Sequence, residues 1–144
     1  MGTVRQLLNR VKSFNAIAAA GRAMRESQEA ILDINREQLQ HGINADNEPV
    51  GFYRSISYAL DKNRRNPLAG YGVVDLKDTG AFYKSFKLTI VGNKWTITAT
   101  DVKAISLEAK YSPKIYGFTE ENKMRVWEAF KADFINEFKK HTGL

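Results

Sequence analysis

Residues 86–100 read FKLTIVGNKWTITAT, two runs of β-branched and aromatic residues on either side of Gly92-Asn93. A Gly-Asn pair between two strand-forming runs predicts a β-hairpin with a two-residue turn. If Val91 faces Lys94 across that turn, side-chain alternation sets every other pair. The opposite face is mostly threonine and lysine, so a slip of one residue would invert both faces, and the register is strongly specified. The large apolar side chains share one face: Phe86, Leu88, Ile90, Trp95, Ile97 and Ala99.

The sequence before Gly42 has the spacing of helices. From Thr3, which can cap a helix, apolar residues recur at three- and four-residue intervals as far as Phe14. Small residues follow, so the helix either breaks near Gly21 or lets another backbone approach closely there. Helical composition resumes until Gly42, and we expect the helical N-terminal segment 1–41 to serve in assembly. The residues assigned to subunit contacts are Ala16, Ala19, Ala20 and Gly21.

Two further helices are predicted after the hairpin. Residues 102–111 have helical composition and end before Pro113. Thr119 and the acidic pair that follows it are typical of a helix start, because the hydroxyl accepts backbone N–H groups and acids favour that end of the helix dipole. Gly143 can end this helix. The same helix carries an apolar stripe that is more typical of a core than of a partner-binding groove. Its residues are Met124, Trp127, Phe130, Phe134 and Phe138.

The composition is that of one folded domain. The chain has 144 residues, 43% of them hydrophobic, whereas a disordered chain would be poorer in large apolar residues. It has no cysteine, no signal peptide and no run of about 18 apolar residues, so we expect cytoplasmic synthesis and no membrane partner. Residues 1–144 are predicted to form a single α+β domain. Its antiparallel sheet includes the hairpin at about 86–100, flanked by long N-terminal helices and a C-terminal amphipathic helix.

The middle of the chain combines turn formers with positive charge. Residues 44–51 predict a loop, and residues 52–60 fit either a short helix or a strand. Residues 62–67 predict a loop, because Pro67 disfavours helix at the residue before it. A net charge of +6 favours polyanionic neighbours, although most of these cations fit a solvated surface. The candidates for contact with DNA or an acidic protein are Lys62, Arg64 and Arg65.

No pattern in the sequence indicates catalysis. The two histidines, His41 and His141, are both expected at helix C-termini, where a cation is favoured without any catalytic need. Neither has a second histidine at metal-ligand spacing, and the phosphate-loop, serine-elbow and zinc-protease motifs are absent. We therefore expect a protein that is not an enzyme, with no catalytic residue, no cofactor and no metal.

The segment DLKDTGAFYKSF, residues 75–86, leads directly into the hairpin. It resembles the L-x-x-T-G-x-(L/F)-x-x-S signature of phage head-tail joining and tail-completion proteins. A tight turn at Thr-Gly followed by an aromatic core residue and a strand is physically reasonable for this motif. KYSPKIYGFT, residues 110–119, is similar to structural proteins from phages of gut Bacteroidetes. The family-motif positions are Asp75, Leu76, Thr79, Gly80, Phe82 and Ser85.

This resemblance implies a virion structural protein, synthesised in the bacterial host cytoplasm, that forms an oligomeric ring. The ring would lie at the head-tail junction or at the top of the tail. Its partners would be further copies, neighbouring portal, connector or tail proteins, and DNA in the channel. The alternative is a small basic nucleic-acid-binding module. Steep salt dependence of DNA affinity in the monomer would favour the alternative, and ring assembly with negligible DNA binding would favour the connector.

Overall fold

The computed structural model describes residues 3–91 and 94–144 and has the expected α+β architecture. Seven α-helices accompany one antiparallel hairpin in these residues. None of these helices combines the length and apolar character that a membrane span requires. In chain order the elements are α1 (Val4–Lys12), α2 (Ala16–Glu26), α3 (Gln28–Gln40), α4 (Ile56–Arg65), α5 (Ala81–Lys84), β1 (Phe86–Val91), β2 (Lys94–Ala99), α6 (Ala104–Tyr111) and α7 (Glu120–Thr142), with single 3-10 turns at Pro67–Ala69 and Pro113–Ile115.

The described residues form two compact units. The first contains the residues up to Ile31 together with Met124–Leu144, and the second contains Leu32–Lys123. The unit boundaries therefore fall within α3 and α7. The expectation of a single domain over the whole chain stays a prediction.

Local capping explains where the first two helices begin and end. Thr3 and Gln6 form a reciprocal capping box at the start of α1. Of the two alternatives at Gly21, a break in the helix is wrong, because α2 runs through that residue. The chain breaks instead around Asn15, whose side chain accepts the Ala18 N–H at 3.1 Å and starts a new helix. Small residues alone did not break the helix, since Asn15 offered the stronger start signal.

The first unit has a small core built on alanine, methionine and aromatic side chains. Ala19, Ala23 and Met24 of α2 are buried. The Phe14 ring packs edge-on to Phe138 of α7, with 5.1 Å between ring centroids. The stripe of α7 is only partly core, which corrects the sequence expectation: Phe130 is buried, but Met124 and Trp127 are exposed.

The second unit contains the larger core. Its buried apolar side chains come from α3, from the loops and from the hairpin. In the region 52–60, expected as helix or strand, residues 56–60 belong to the helix α4. This helix is started by the Ser55 hydroxyl, which accepts the Tyr58 N–H at 3.3 Å. The loop expected at residues 62–67 is wrong, because α4 continues to Arg65. Pro67 acts only on its immediate neighbour Asn66, which adopts the extended conformation.

The predicted hairpin register is confirmed. Leu88 pairs with Ile97 and Ile90 with Trp95, and the remaining pairs follow. Burial is graded along the apolar face: Phe86 and Ile97 are buried, whereas Trp95 is 40% exposed. The predicted turn at 92–93 lies outside the described residues. Within those residues the sheet consists of these two strands alone, so only the base of the hairpin rests on the core.

Candidate functional site

The Thr-Gly block forms a tight turn that feeds the hairpin. Gly80 has a φ of +90°, in the left-handed region that favours glycine. The Thr79 hydroxyl accepts the N–H of Ala81 at 3.3 Å, and a single turn of helix, α5, follows. Phe82 is buried against Phe86, with ring centroids 5.0 Å apart. Ser85 closes the turn by donating its hydroxyl to the Phe82 carbonyl at 2.8 Å. The local geometry expected from the motif is therefore present.

Asp75, the first residue of the motif block, is the centre of a buried polar network. Its Oδ1 lies 2.6 Å from the Nζ of Lys62, and both side chains are almost fully buried. Its Oδ2 accepts the side-chain N–H of Asn66 at 2.9 Å. The backbone N–H of Lys77 donates to Oδ1 at 2.9 Å, and the Tyr53 hydroxyl lies 3.4 Å from the same atom. These partners come from α4, from the segments before and after that helix, and from the backbone two residues beyond Asp75.

Further hydrogen bonds fix the chain around this network. Lys62 Nζ also donates to the Lys77 carbonyl, and the Tyr83 hydroxyl donates to the Asp75 carbonyl. Asn66 makes a second hydrogen bond to the Gln40 carbonyl at 2.8 Å. The network therefore ties α4 and the end of α3 to the segment that enters the Thr-Gly turn.

The pKa shifts follow from burial and from these partners. Burial alone would raise the pKa of the Asp75 carboxyl, but hydrogen bonds from Lys62, Asn66 and the Lys77 backbone outweigh it, so that pKa lies below its usual range. Burial raises the pKa of the Tyr83 and Tyr53 hydroxyls, and the negative charge of Asp75 adds to the effect. Both hydroxyls are therefore neutral donors, and Asp75 is the ionised acceptor.

This arrangement stabilises a conformation and is poorly suited to catalysis. Both oxygens of Asp75 already accept hydrogen bonds from the protein, and a general base needs an acceptor facing substrate. The ring of His41 bonds the Glu37 carbonyl within its own helix, and that of His141 contacts the Ser13 hydroxyl. Within residues 3–91 and 94–144, no group of three or more histidines and acids is placed to hold a metal ion.

A shallow pocket of about 240 Å³ lies beside the network in the second unit. Its walls are mainly aromatic and aliphatic, with the motif turn along one side. Tyr53 and Tyr58 meet edge to face in this wall, with ring centroids 5.0 Å apart. Asp78 and Lys103, 3.8 Å apart, stand at its polar rim. The pocket is thus an apolar recess adjoining the structural network.

The three predicted basic contact residues have different environments. Arg64 is 80% exposed at its side chain, and Arg65 is 44% exposed and pairs with Asp61 at 2.9 Å. Lys62 is buried in its ion pair with Asp75, so its assignment to DNA or an acidic partner is wrong in this structure. The sequence could not reveal this, because an exposed and a buried lysine look alike until the partner carboxylate is placed.

The small residues at the start of α2 also differ in their exposure. Ala16 is exposed, and Ala20 and Gly21 are half-buried. Ala19 is fully buried within the protomer, so its side chain offers no surface to another subunit in this structure. The subunit-contact assignment of Ala19 is therefore corrected, because the small side chain serves close packing within the protomer.

A second polar cluster lies in the first unit. Glu137 of α7 is buried and accepts from the guanidinium of Arg22 at 2.9 Å. A hydrogen bond with Glu137 raises the pKa of Glu26, and the same bond, with help from Arg22, lowers the pKa of Glu137. The Nζ of Lys140 lies 3.9 Å from the Oε1 of Glu137 and favours the ionised form of Glu137. The negative charge of Asp133 instead opposes ionisation of Glu26 and raises its pKa. As the pH falls, Glu26 is therefore the first of the two glutamates to take up a proton.

Sequence reasoning missed most of the network around Asp75. Tyr53, Asn66 and the pairing of Lys62 with Asp75 had no local signal, since the partners lie up to 22 residues apart. The nearest sequence signal was Asn66 before Pro67, which indicated a helix boundary but not the hydrogen-bond partners of Asn66. No protein-family model matches this chain, and comparisons with curated proteins and with solved structures give no significant match.

Proposed function

We propose that this protein is a virion structural subunit that forms an oligomeric ring at a phage head-tail junction or at the top of the tail. The observation that carries the proposal is the Thr-Gly turn leading into the hairpin. The residues that resemble the family motif serve there as structural parts: Asp75 anchors the entry, Gly80 makes the turn and Phe82 fixes it to the core. A rigid base of this kind suits a hairpin that projects toward a neighbour.

The hairpin supports the proposal through its exposed surface. A two-stranded sheet is marginal by itself and readily gains from a covering partner. Trp95 and Val91 are exposed, and in the described residues no third strand pairs with either edge. From Thr79 to Thr100 the sequence has three lysines and no acid, which favours an acidic neighbour. We expect the hairpin to contact the next subunit head-to-tail, the type of contact that closes a ring.

The outer surface of α4 is the proposed contact with DNA or with an acidic neighbouring ring. Arg64 is its most exposed cation, and the weak pairs with Asp61 leave both arginines accessible. Ile56 and Leu60 are exposed on the same helix, and with Arg64 they follow one another at four-residue intervals. The partners in the virion would be copies of this chain and portal, connector or tail proteins. Synthesis takes place in the host cytoplasm before assembly.

Ring formation can be tested on the purified full chain. Sedimentation velocity and negative-stain electron microscopy should detect rings at high protein concentration. Thr98→Glu, which places an acid on the exposed lysine and threonine face of the hairpin, should reduce assembly while leaving the circular dichroism spectrum unchanged. Ala109→Glu is the matched control, because Ala109 is exposed on α6, outside the hairpin.

The outcome that contradicts the proposal is a wild-type chain that stays monomeric at all concentrations and binds DNA with a steep salt dependence. The variant Arg64→Glu distinguishes a ring that contacts DNA from a monomer that binds DNA. If α4 contacts DNA only within a ring, the variant should assemble normally and lose DNA retention in the assembled particle. A monomer whose DNA affinity falls on Arg64→Glu would instead favour the nucleic-acid-binding module.

A further inference from the structure

The helix α1 has a sequence that reads nearly the same in both directions. Residues 4–11 are VRQLLNRV, in which valine, leucine and arginine occupy mirrored positions about the midpoint between Leu7 and Leu8. The two remaining positions, Gln6 and Asn9, both carry side-chain amides and also mirror each other. Reversing the direction of the helix therefore reproduces nearly the same chemical pattern.

This palindrome places the mirrored residues on a common face. Each residue turns the helix by about 100°, so Val4 and Val11 lie within about 10° of one line along its surface. The two leucines lie about 50° to either side of that line, and the arginines flank the stripe at about 110° in opposite directions. The result is an apolar band with two-fold symmetry about the helix midpoint.

Three of the four residues of the band are exposed in the structure, and Leu7 is half-buried. Val4 is 76% exposed, Leu8 51% and Val11 38%, and no residue of α1 is buried. An amphipathic helix normally turns such a stripe toward a core. Here α1 is held to its unit from its C-terminal end, where the Arg10 guanidinium donates to the Thr142 carbonyl at 3.1 Å. The stripe therefore remains available to a partner.

We propose that two copies of this protein associate through an antiparallel, two-fold pairing of their α1 helices. Val4 of one copy then meets Val11 of the other, and the two Leu8 side chains meet near the two-fold axis. The palindrome favours a second copy over other partners, because each residue finds its mirror-related counterpart. An isologous contact closes at two copies, whereas a ring needs a head-to-tail contact, so this pairing can exist whether or not the proposed ring does.

The available area indicates a weak dimer. A fully exposed side chain of this size presents on the order of 100 Å² of apolar surface, so the three exposed fractions amount to roughly 300 Å² for a pair of helices. Stable interfaces bury about 1,200 Å² or more. The flanking arginines of the two copies also repel each other, and salt screens that repulsion. We expect dimers at high protein concentration that strengthen as salt is raised, the opposite of nucleic-acid binding.

Single-cysteine crosslinking tests the geometry, because the chain has no cysteine of its own. Copies of Leu8→Cys would lie about 1.5 Å apart along the helix axis and should form a disulfide-linked dimer under mild oxidation. Copies of Val4→Cys would be offset by about 10 Å along the axis, beyond the Cα separation of about 7 Å that a disulfide spans. A mixture of Val4→Cys with Val11→Cys brings the two thiols together and should crosslink. Asn9→Cys, on the opposite face of α1, is the matched control.

Three results would overturn the proposal. Self-crosslinking of Val4→Cys would indicate parallel pairing. Leu8→Cys crosslinking no more than Asn9→Cys would exclude α1 from any contact. A dimer that survives Leu8→Lys in sedimentation velocity would have another interface. Loss of that dimer on Leu8→Lys, with an unchanged circular dichroism spectrum and a wild-type dimer that grows with salt, supports the pairing.

Discussion

Asp75→Ala should lower the free energy of unfolding by about 3–5 kcal/mol. The substitution leaves the Nζ of Lys62 buried without its carboxylate and removes the acceptor of the Asn66 side chain and the Lys77 N–H. An unpaired charge in that environment costs far more than the net value of the intact pair. Since a small protein is stable by only about 5–15 kcal/mol, we expect a fall in Tm of roughly 10–20 °C.

Urea unfolding followed by tryptophan fluorescence measures this change, and Arg65→Ala is the control. That control removes an exposed pair with Asp61 four residues away and should cost under about 1 kcal/mol. Combining Asp75→Leu with Lys62→Met should recover stability relative to Asp75→Ala, because no charge is then left buried. The reasoning would be refuted if Asp75→Ala stayed within about 1 kcal/mol of the wild type, or if the double variant were less stable than the single one.

The same residue predicts a pH dependence. Because the pKa of Asp75 is lowered in the folded protein, its contribution to stability is present above the unfolded pKa and is lost as the pH falls through the folded value. The wild type should therefore lose stability below about pH 4, and Asp75→Ala should lack this part of the loss. Parallel acid titrations of the unfolding midpoint measure the difference. Equal acid sensitivity in both proteins would contradict it.

Three other substitutions test separate elements. Ile97→Ala should lower the free energy of unfolding by about 2–4 kcal/mol, because it truncates a core side chain, and Thr98→Ala should lower it by under about 1 kcal/mol. Equal small losses of stability would argue against the hairpin register. Glu26→Gln keeps a donor to Glu137 without needing a proton. Because the pKa of Glu26 is raised, the stabilisation from its protonated form is lost as the pH rises above the ordinary glutamate value of 4.5, and the unfolding midpoint of the variant should depend less on pH there than that of the wild type. Gly42→Ala should destabilise the folded protein, since the φ of +71° is strained for alanine and the added Cβ would overlap the Val73 side chain. A variant with the wild-type Tm would disprove this.

Features that depend on near neighbours in the chain were predictable. The cap at Thr3, the helix end at Gly42 and the Thr-Gly turn each rest on hydrogen bonds or backbone preferences within a few residues. The hairpin register was also predictable, because alternation of apolar and polar side chains permits only one pairing that buries the large residues.

The candidate site depended on tertiary structure to a much greater degree. The sequence presented Lys62 as one of several surface cations, and folding buried it beside Asp75, thirteen positions away along the chain. The sequence presented Ala19 as a contact for another subunit, and folding packed it inside its own unit. In each case a distant partner determined burial, and no local pattern carries that information.

The sequence alone determined the α+β class, the helix caps, the hairpin pairing and the palindromic face of α1, since these follow from periodicity and backbone geometry. Only the tertiary structure decided which amphipathic faces are covered. It left the stripe of α1 exposed, buried just part of the stripe of α7 and placed a lysine of α4 inside. The physical reason is that periodicity gives the direction of a side chain relative to its own helix, whereas burial depends on which other segments the chain brings against that face.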